Sequence, residues 1–253
     1  MFVTGGSAGI GRALAVRHAS LGATVGVTGR RPEALAALAA EWPGRIVPIV
    51  ADVRDAAAMQ DRAAAFMDRH GCPSLVYANA GISIGTLTEQ SGDAEVFREI
   101  LDTNVLGLAQ TFGPFLSPMQ ARGSGTLVGI ASVAGLRGLP GASAYAASKA
   151  AAIAYLESLR IESRAYGIRV VTVCPGYIAT GMTEHNPYPM PFLLAADDAA
   201  RRIARIARDG RSFAIVPWQM AIVGRVMKVL PDWLWDRALA GAARKPRRAP
   251  PPA

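Results

Sequence analysis

Tyr145 and Lys149 stand four residues apart in Ala144-Tyr145-Ala146-Ala147-Ser148-Lys149-Ala150, and Ser132 precedes the tyrosine by thirteen. The stretch from Ala142 to Arg164 is rich in Ala and free of Pro and Gly, which predicts a helix. Residues four apart on a helix share a face, so the spacing sets an ammonium one turn from a phenol. A free phenol titrates near ~10, too high for ready proton exchange at neutral pH, and an adjacent cation lowers that value. The pair is therefore suited to acid–base chemistry, the alternative being a solvated pair on a helix surface. Ser132 closes the apolar run from Gly125 to Ala131, which reads as a strand. A hydroxyl at the carboxyl end of a strand can reach a ligand in the crevice above a sheet.

These three residues need a scaffold, and the chain outlines one. Thr4-Gly5-Gly6-Ser7-Ala8-Gly9-Ile10-Gly11 follows Phe2-Val3 and opens a helical run from Ile10 to Leu21. Glycines admit a phosphate to the backbone N–H groups, and a helix N-terminus adds partial positive charge. The bland alternative is a plain tight turn, and the spacing of Gly5, Gly9 and Gly11 departs from Gly-x-Gly-x-x-Gly. Further strands are expected at Thr24–Thr28, Ile46–Val50, Ser74–Ala78, Ile168–Val173 and Ser212–Val216. The other expected helices are Pro32–Glu41, Asp55–His70, Asp93–Gln120 and Asp197–Asp209. This alternation predicts an α/β fold: a Rossmann-like, doubly wound parallel sheet of about seven strands with helices on both faces. Only three residues precede Thr4, so the first strand is expected either to be short or to belong to a chain that naturally starts earlier.

Together these motifs resemble the short-chain dehydrogenase/reductase family, in order from residue 4 to about residue 216. Thr4 to Gly11 matches its Thr-Gly-x-x-x-Gly-x-Gly loop, and Asn79-Ala80-Gly81 its Asn-Ala-Gly after the fourth strand. Asn104 matches a helical Asn, and Ser132, Tyr145 and Lys149 match the active-site trio. Pro175-Gly176, with Thr180 beyond, matches the segment that holds nicotinamide. The resemblance implies hydride exchange between a nicotinamide cofactor and a carbonyl or its secondary alcohol. In that scheme Tyr145 exchanges the proton and Ser132 holds the substrate oxygen. Lys149 tunes the phenol and binds the ribose, while Asn104 orders water on the Lys149 side. The implied cofactor contacts are Thr4, Gly5, Ser7, Gly9, Ile10, Gly11, Asp52, Val53, Asn79, Ala80, Gly81, Tyr145, Lys149, Pro175, Gly176, Ile178 and Thr180. The second strand ends Val27-Thr28-Gly29-Arg30-Arg31, where a carboxylate would suit the ribose diol of NAD. Two guanidiniums suit a phosphate instead, so NADP is expected over NAD, with Arg30 ranked above Arg31. The alternative is that both simply face water.

A chain of 253 residues, 51% hydrophobic, is expected to form one catalytic domain over 1–216. Residues 217–242 read as an apolar extension of it, and 243–253 as a disordered, basic, Pro-rich tail. Three of the four tryptophans fall in the extension, which is ranked first as a substrate cap or subunit interface and second as a membrane-surface helix. Four of the eight excess positive charges lie in the tail, so the charge gives no case for nucleic acid and is read as an aid to solubility or as weak contact with anionic surfaces. His18, His70 and His185 lack metal-ligand spacing, and His18 and His70 are expected at the surface. Cys72 and Cys174 suggest no disulfide, which favours a reducing, cytoplasmic setting, and no secretory leader is expected because the glycine loop already starts at Thr4. The segment after Thr180 carries three prolines and large apolar groups, read either as a stiff lid for an apolar carbonyl or alcohol, with Leu136 and Leu139 opposite it, or as side chains that simply pack on the core. A homodimer or homotetramer is expected. The competing readings are a non-catalytic NADP-binding sensor, a membrane-surface protein on the same fold, and a sugar-nucleotide epimerase or dehydratase, for which too few residues follow Val216.

Overall fold

Seven strands pair in parallel into one sheet in the computed structural model, which describes residues 1–248. In chain order they are β1 (Phe2–Val3), β2 (Val25–Gly29), β3 (Ile46–Val50), β4 (Leu75–Ala78), β5 (Gly125–Ile130), β6 (Ile168–Pro175) and, near the end, β9 (Phe213–Val216). Their order across the sheet is β3-β2-β1-β4-β5-β6-β9. The order reverses between β1 and β4, and in open α/β sheets the ligand crevice lies above such a reversal. β1 is short but central, with both residues fully buried. Met1 prolongs its pairing, as the Met1 carbonyl accepts the Gly26 N–H at 2.9 Å.

Alternation along the strands divides the core into two layers. Leu127 faces one and Val128 the other, as period-two geometry requires. Helices α1 (Gly9–Ser20), α2 (Pro32–Glu41) and α7 (Ala196–Asp209) cover one face through Leu14, Leu35, Leu38 and Ile203. On the opposite face lie α3 (Ala56–His70), α5 (Gly107–Arg122) and α6 (Ser143–Ser163), through Phe66, Phe112, Phe115 and Leu156. Leu156 ties α6 to that core, and Tyr145 and Lys149 sit on the N-terminal half of the same helix.

The single helix expected over Asp93–Gln120 is interrupted. α4 (Asp93–Leu101) leads through one wide π-turn, Asp102–Leu106, into α5. The turn accompanies long-range contacts: Asn104, within it, is buried and spends its amide on groups outside its own helix. A π-turn inserts an extra residue and lets one side chain point away from the regular face.

Four elements were not foreseen. Two short strands, β7 (Ile178–Ala179) and β8 (Leu194–Ala195), form a separate parallel ladder that joins the two ends of the segment after Thr180. Helices α8 (Trp218–Val229) and α9 (Asp232–Leu239) follow β9. The inner side of this region packs Met220, Met227 and Trp235 against Ala131, Val133 and Cys174. Its outer side leaves Trp218, Ile222, Val226, Val229 and Trp233 exposed.

The tail departs from the expectation of disorder up to Arg248. The Gly85 N–H donates to the Pro246 carbonyl at 2.9 Å, Arg247 pairs with Asp93 at 2.8 Å, and Arg248 pairs with Glu99 at 2.8 Å. Carboxylates on α4 capture the arginines, which composition alone does not reveal. Residues 249–253 lie outside the described residues. His18 also departs from its expected surface position: it is half-buried, meets the Tyr77 hydroxyl at 3.1 Å, and is lowered by burial to about 4.

Candidate active site

The glycine loop shapes a groove between β1 and β4. Gly5 adopts a φ of +65°, and a Cβ there would lie 2.7 Å from the Ala80 backbone. A Cβ on Gly11 would come within 2.3 Å of the Gly5 carbonyl oxygen. Thr4 is fully buried beneath the loop, where its hydroxyl accepts the N–H groups of Asn79 at 3.2 Å and Ala80 at 3.3 Å. The Asn79 amide donates back to the carbonyls of Thr4 and Gly5 at 3.0 and 3.2 Å. These bonds lock the loop to the end of β4. Thr4 and Gly11 therefore build the groove without lining it, unlike the other residues expected to contact a cofactor.

Those residues divide between two adjoining cavities. One, of about 260 Å³, is lined by Gly5, Ser7, Arg30, Arg31, Asp52, Val53, Ala80 and Gly81, among others. The next, of about 430 Å³, shares Gly5, Arg31, Ala80 and Gly81 with it. It continues past Gly9, Ile10 and Asn79 to Ser132, Tyr145, Lys149, Pro175, Gly176, Ile178 and Thr180. Arg31, rather than the higher-ranked Arg30, reaches the loop, its guanidinium donating to the Ser7 hydroxyl at 3.4 Å. The Asp52 carboxylate is forked by Arg54 at 2.6 to 3.1 Å, which holds it below the usual carboxylate range.

This groove fits a dinucleotide. Ala8 starts α1 with no side-chain cap, leaving first-turn N–H groups for an anion. The buried Thr28 hydroxyl lacks a hydrogen-bond partner among the described residues, and Thr28 lines the Arg30 end of the groove. Gly5, Ser7, Gly9 and Ile10 would hold the diphosphate, and Arg30, Arg31 and Asp52 the adenosine end.

Ser132 and Tyr145 also belong to a third cavity of about 290 Å³. With Pro175, Gly176, Met182 and Thr183 they border both it and the groove. The Ser132 hydroxyl accepts the Ala134 N–H at 3.1 Å and approaches the Pro175 carbonyl at 3.5 Å. Lys149 is buried, donates to the Ile130 carbonyl at 2.9 Å, and lies 5.8 Å from the centre of the Tyr145 ring. Burial lowers the lysine to about 8 and pushes the phenol above its ordinary value, with Ser132 pulling the phenol the other way. The lysine-lowered phenol expected from helical spacing is therefore not what dominates here. Desolvation does, because the ammonium is turned onto a backbone carbonyl of β5.

The depressed lysine has a measurable consequence. The native state binds its proton more weakly than the unfolded chain, whose lysines titrate near 10.5. Lys149 therefore costs stability below pH 8, and the cost fades as pH rises toward 10.5. Lys149→Met should remove it, so the stability gained by wild type over the variant between pH 8 and 9 is expected to be about 1 kcal/mol. Parallel denaturant curves at the two pH values check the sign.

Asn104 lines none of the three cavities. It sits beneath Ile82, accepting its N–H at 2.8 Å, donating to its carbonyl at 2.9 Å, and donating to the Ser148 hydroxyl at 3.0 Å. Ser148 in turn donates to the Tyr145 carbonyl at 2.8 Å. Asn104 thus braces the loop after Gly81 against the helix that carries Tyr145. Sequence reasoning passed over Ser148, although it adjoins Lys149. Leu139 lines the third cavity as expected, whereas Leu136 packs beside Gly224 outside it. His185 is exposed and outside it as well. Met220, Val223, Met227 and Trp235 of the extension line it, with Tyr177, Tyr188 and Lys245. Among the described residues no cluster of His, Cys, Asp or Glu forms a metal site, and no helix is long and apolar enough to cross a membrane.

Comparison with known proteins adds an independent line. A family model described as short chain dehydrogenase matches residues 1–189. An uncharacterized oxidoreductase of Myxococcus xanthus is 41% identical, covering 93% of this chain and 94% of that protein. A levodione reductase of Leifsonia aquatica is 33% identical over 74% of this chain and 72% of its own. Among solved structures, a short-chain dehydrogenase from Streptomyces avermitilis superposes with a TM-score of 0.80 at 30% identity, over 94% of this chain and 96% of that one.

Proposed function

The chain belongs to the short-chain dehydrogenase family and is an NAD(P)-dependent oxidoreductase, and from that premise we propose that it uses NADP to interconvert an apolar carbonyl compound and its secondary alcohol. The observation that carries the reading is the shared wall: Ser132 and Tyr145 border both the dinucleotide groove and the apolar cavity beside it. The nicotinamide supplies or accepts the hydride when bound. Tyr145 gives a proton to the substrate oxygen in reduction and takes it in oxidation. A phenol held above its ordinary value keeps that proton at neutral pH, which suits reduction. Ser132 donates a hydrogen bond to the same oxygen. Lys149 holds the nicotinamide ribose and, in doing so, leaves the Ile130 carbonyl. Pro175, Gly176, Ile178 and Thr180 border the nicotinamide end and fix which face of the ring is presented. Asn104 keeps the Gly81 loop and α6 in register.

NADP preference rests on Arg30 and Arg31, which directly follow β2 at a position where no carboxylate stands. A guanidinium–phosphate contact is worth roughly 1.5–3 kcal/mol. Arg31→Ala is therefore expected to raise the KM for NADPH at least about tenfold and leave that for NADH within about twofold. Initial rates with both cofactors on a panel of ketones, aldehydes and alcohols test the whole proposal. A wild-type preference for NADH overturns the cofactor assignment, and absence of turnover across the panel supports the non-catalytic sensor instead. Cytoplasmic residence belongs to the same reading, supported by the free thiols Cys72 and Cys174. So does assembly into a homodimer or homotetramer, supported by exposed Leu106 and Ile161 on the helical face opposite the core.

A further inference from the structure

Among the described residues that line the apolar cavity, one carries a charge: Lys245. It arrives on the last described stretch of chain, which crosses the cavity as a strap. The strap is fastened beyond the cavity by the Gly85–Pro246 backbone bond and by Arg247 and Arg248 on Asp93 and Glu99. Arg247 and Arg248 are thus matched with carboxylates. Lys245, two residues earlier, is matched with neutral oxygens: its ammonium reaches Asn186 Oδ1 at 3.2 Å and the Met182 carbonyl at 3.4 Å. No carboxylate pairs with it among the described residues. Burial lowers its pKa from the ordinary lysine value. A cation partly withdrawn from water, beside Met220, Met227, Tyr188 and Trp235, has lost hydration that neutral dipoles only partly replace.

We propose that Lys245 recognises an acidic group on the substrate, so that the preferred substrate is a carbonyl compound with an apolar body and a carboxylate end. The carbonyl half of this statement rests on the catalytic reading above, and the carboxylate half does not. The apolar walls take the body of the molecule, and Tyr145 and Ser132 define where its carbonyl lies. Asn186 and the Met182 carbonyl hold the ammonium in place for the carboxylate.

Binding separates the two halves. Octanoate and 1-octanol share chain length and differ in charge. Calorimetric titration into the NADP-loaded protein should show octanoate binding at least about tenfold tighter than 1-octanol. In Lys245→Met that difference should vanish, with the octanol affinity unchanged and the melting temperature no lower than that of wild type. Lys245→Gln provides the same comparison if the methionine variant misfolds. Equal affinities in wild type, or an octanoate advantage that survives both substitutions, overturn the proposal. A second arm compares reduction of 7-oxooctanoate and its methyl ester with NADPH. Wild type should favour the acid at least about tenfold in kcat/KM, and Lys245→Met should not. Lys245-dependent octanoate binding without any carbonyl turnover would remove the catalytic reading and leave anion recognition standing. Turnover of the ester equal to that of the acid would do the reverse.

Discussion

Tyr145→Phe should lower kcat/KM by about 10³ to 10⁴-fold while changing the affinity for NADPH less than about threefold. The substitution removes one oxygen from the wall between the dinucleotide groove and the apolar cavity and leaves the ring in place. If the phenol is the proton donor, nothing nearby replaces it. Ser132 is a far weaker acid, and in the proposed complex Lys149 is taken up by the nicotinamide ribose. Fluorescence titration with NADPH and single-turnover reduction of one ketone give the two numbers. Loss of cofactor affinity in step with turnover would make Tyr145 a structural residue. Residual turnover within about tenfold of wild type would assign the proton to another group.

Asn104→Ala should destabilise the protein by about 3 kcal/mol or more, lowering the melting temperature by about 10 °C. The amide is buried and serves the Ile82 N–H, the Ile82 carbonyl and the Ser148 hydroxyl at once. Removing it strands backbone groups in a space a methyl cannot serve, and each stranded group costs roughly 1–3 kcal/mol. Because Ser148 bonds the Tyr145 carbonyl, the loss should also loosen the start of α6 and reduce kcat at temperatures where the variant stays folded. Asn104→Asp is the discriminating control, since a carboxylate accepts the Ile82 N–H but cannot donate to the other two oxygens. Thermal melts of both variants, alongside kcat well below their transitions, test the bracing role. A melting temperature within about 2 °C of wild type would exclude it.

Much of this site could be read before any coordinates because its parts are local. The glycine loop, the strand ending at Ser132 and the helix carrying Tyr145 and Lys149 are each specified by a few neighbouring residues. Parallel strands alternating with helices leave one sensible way to assemble them. What escaped was set by contacts distant in sequence. Nothing near Asn104 announces that its amide will bond Ile82 and Ser148, so the wide turn in the Asp93–Gln120 helix was invisible. Helical spacing placed Lys149 beside Tyr145 but could not show the Ile130 carbonyl that draws the ammonium aside. Composition read the tail as solvated charge, because the partners of Arg247 and Arg248 lie on α4, about 150 positions earlier. Lys245 was overlooked for the same reason.

The β7–β8 ladder has a consequence for how this scaffold diversifies. Ile178 pairs with Leu194 and Ala179 with Ala195, so the chain leaves and re-enters the fold at a single clasp. Thr180 sits immediately beyond that clasp, and the prolines and aromatics that follow are held outside it. Thr183 bonds back to Thr180 and Ile178, so it is residues 187–193, farther out, whose insertion, deletion or exchange can be absorbed without shifting the anchor beneath. The scaffold thereby carries a replaceable cassette, in which selectivity for the reactant is rewritten while the coenzyme seat remains as it was.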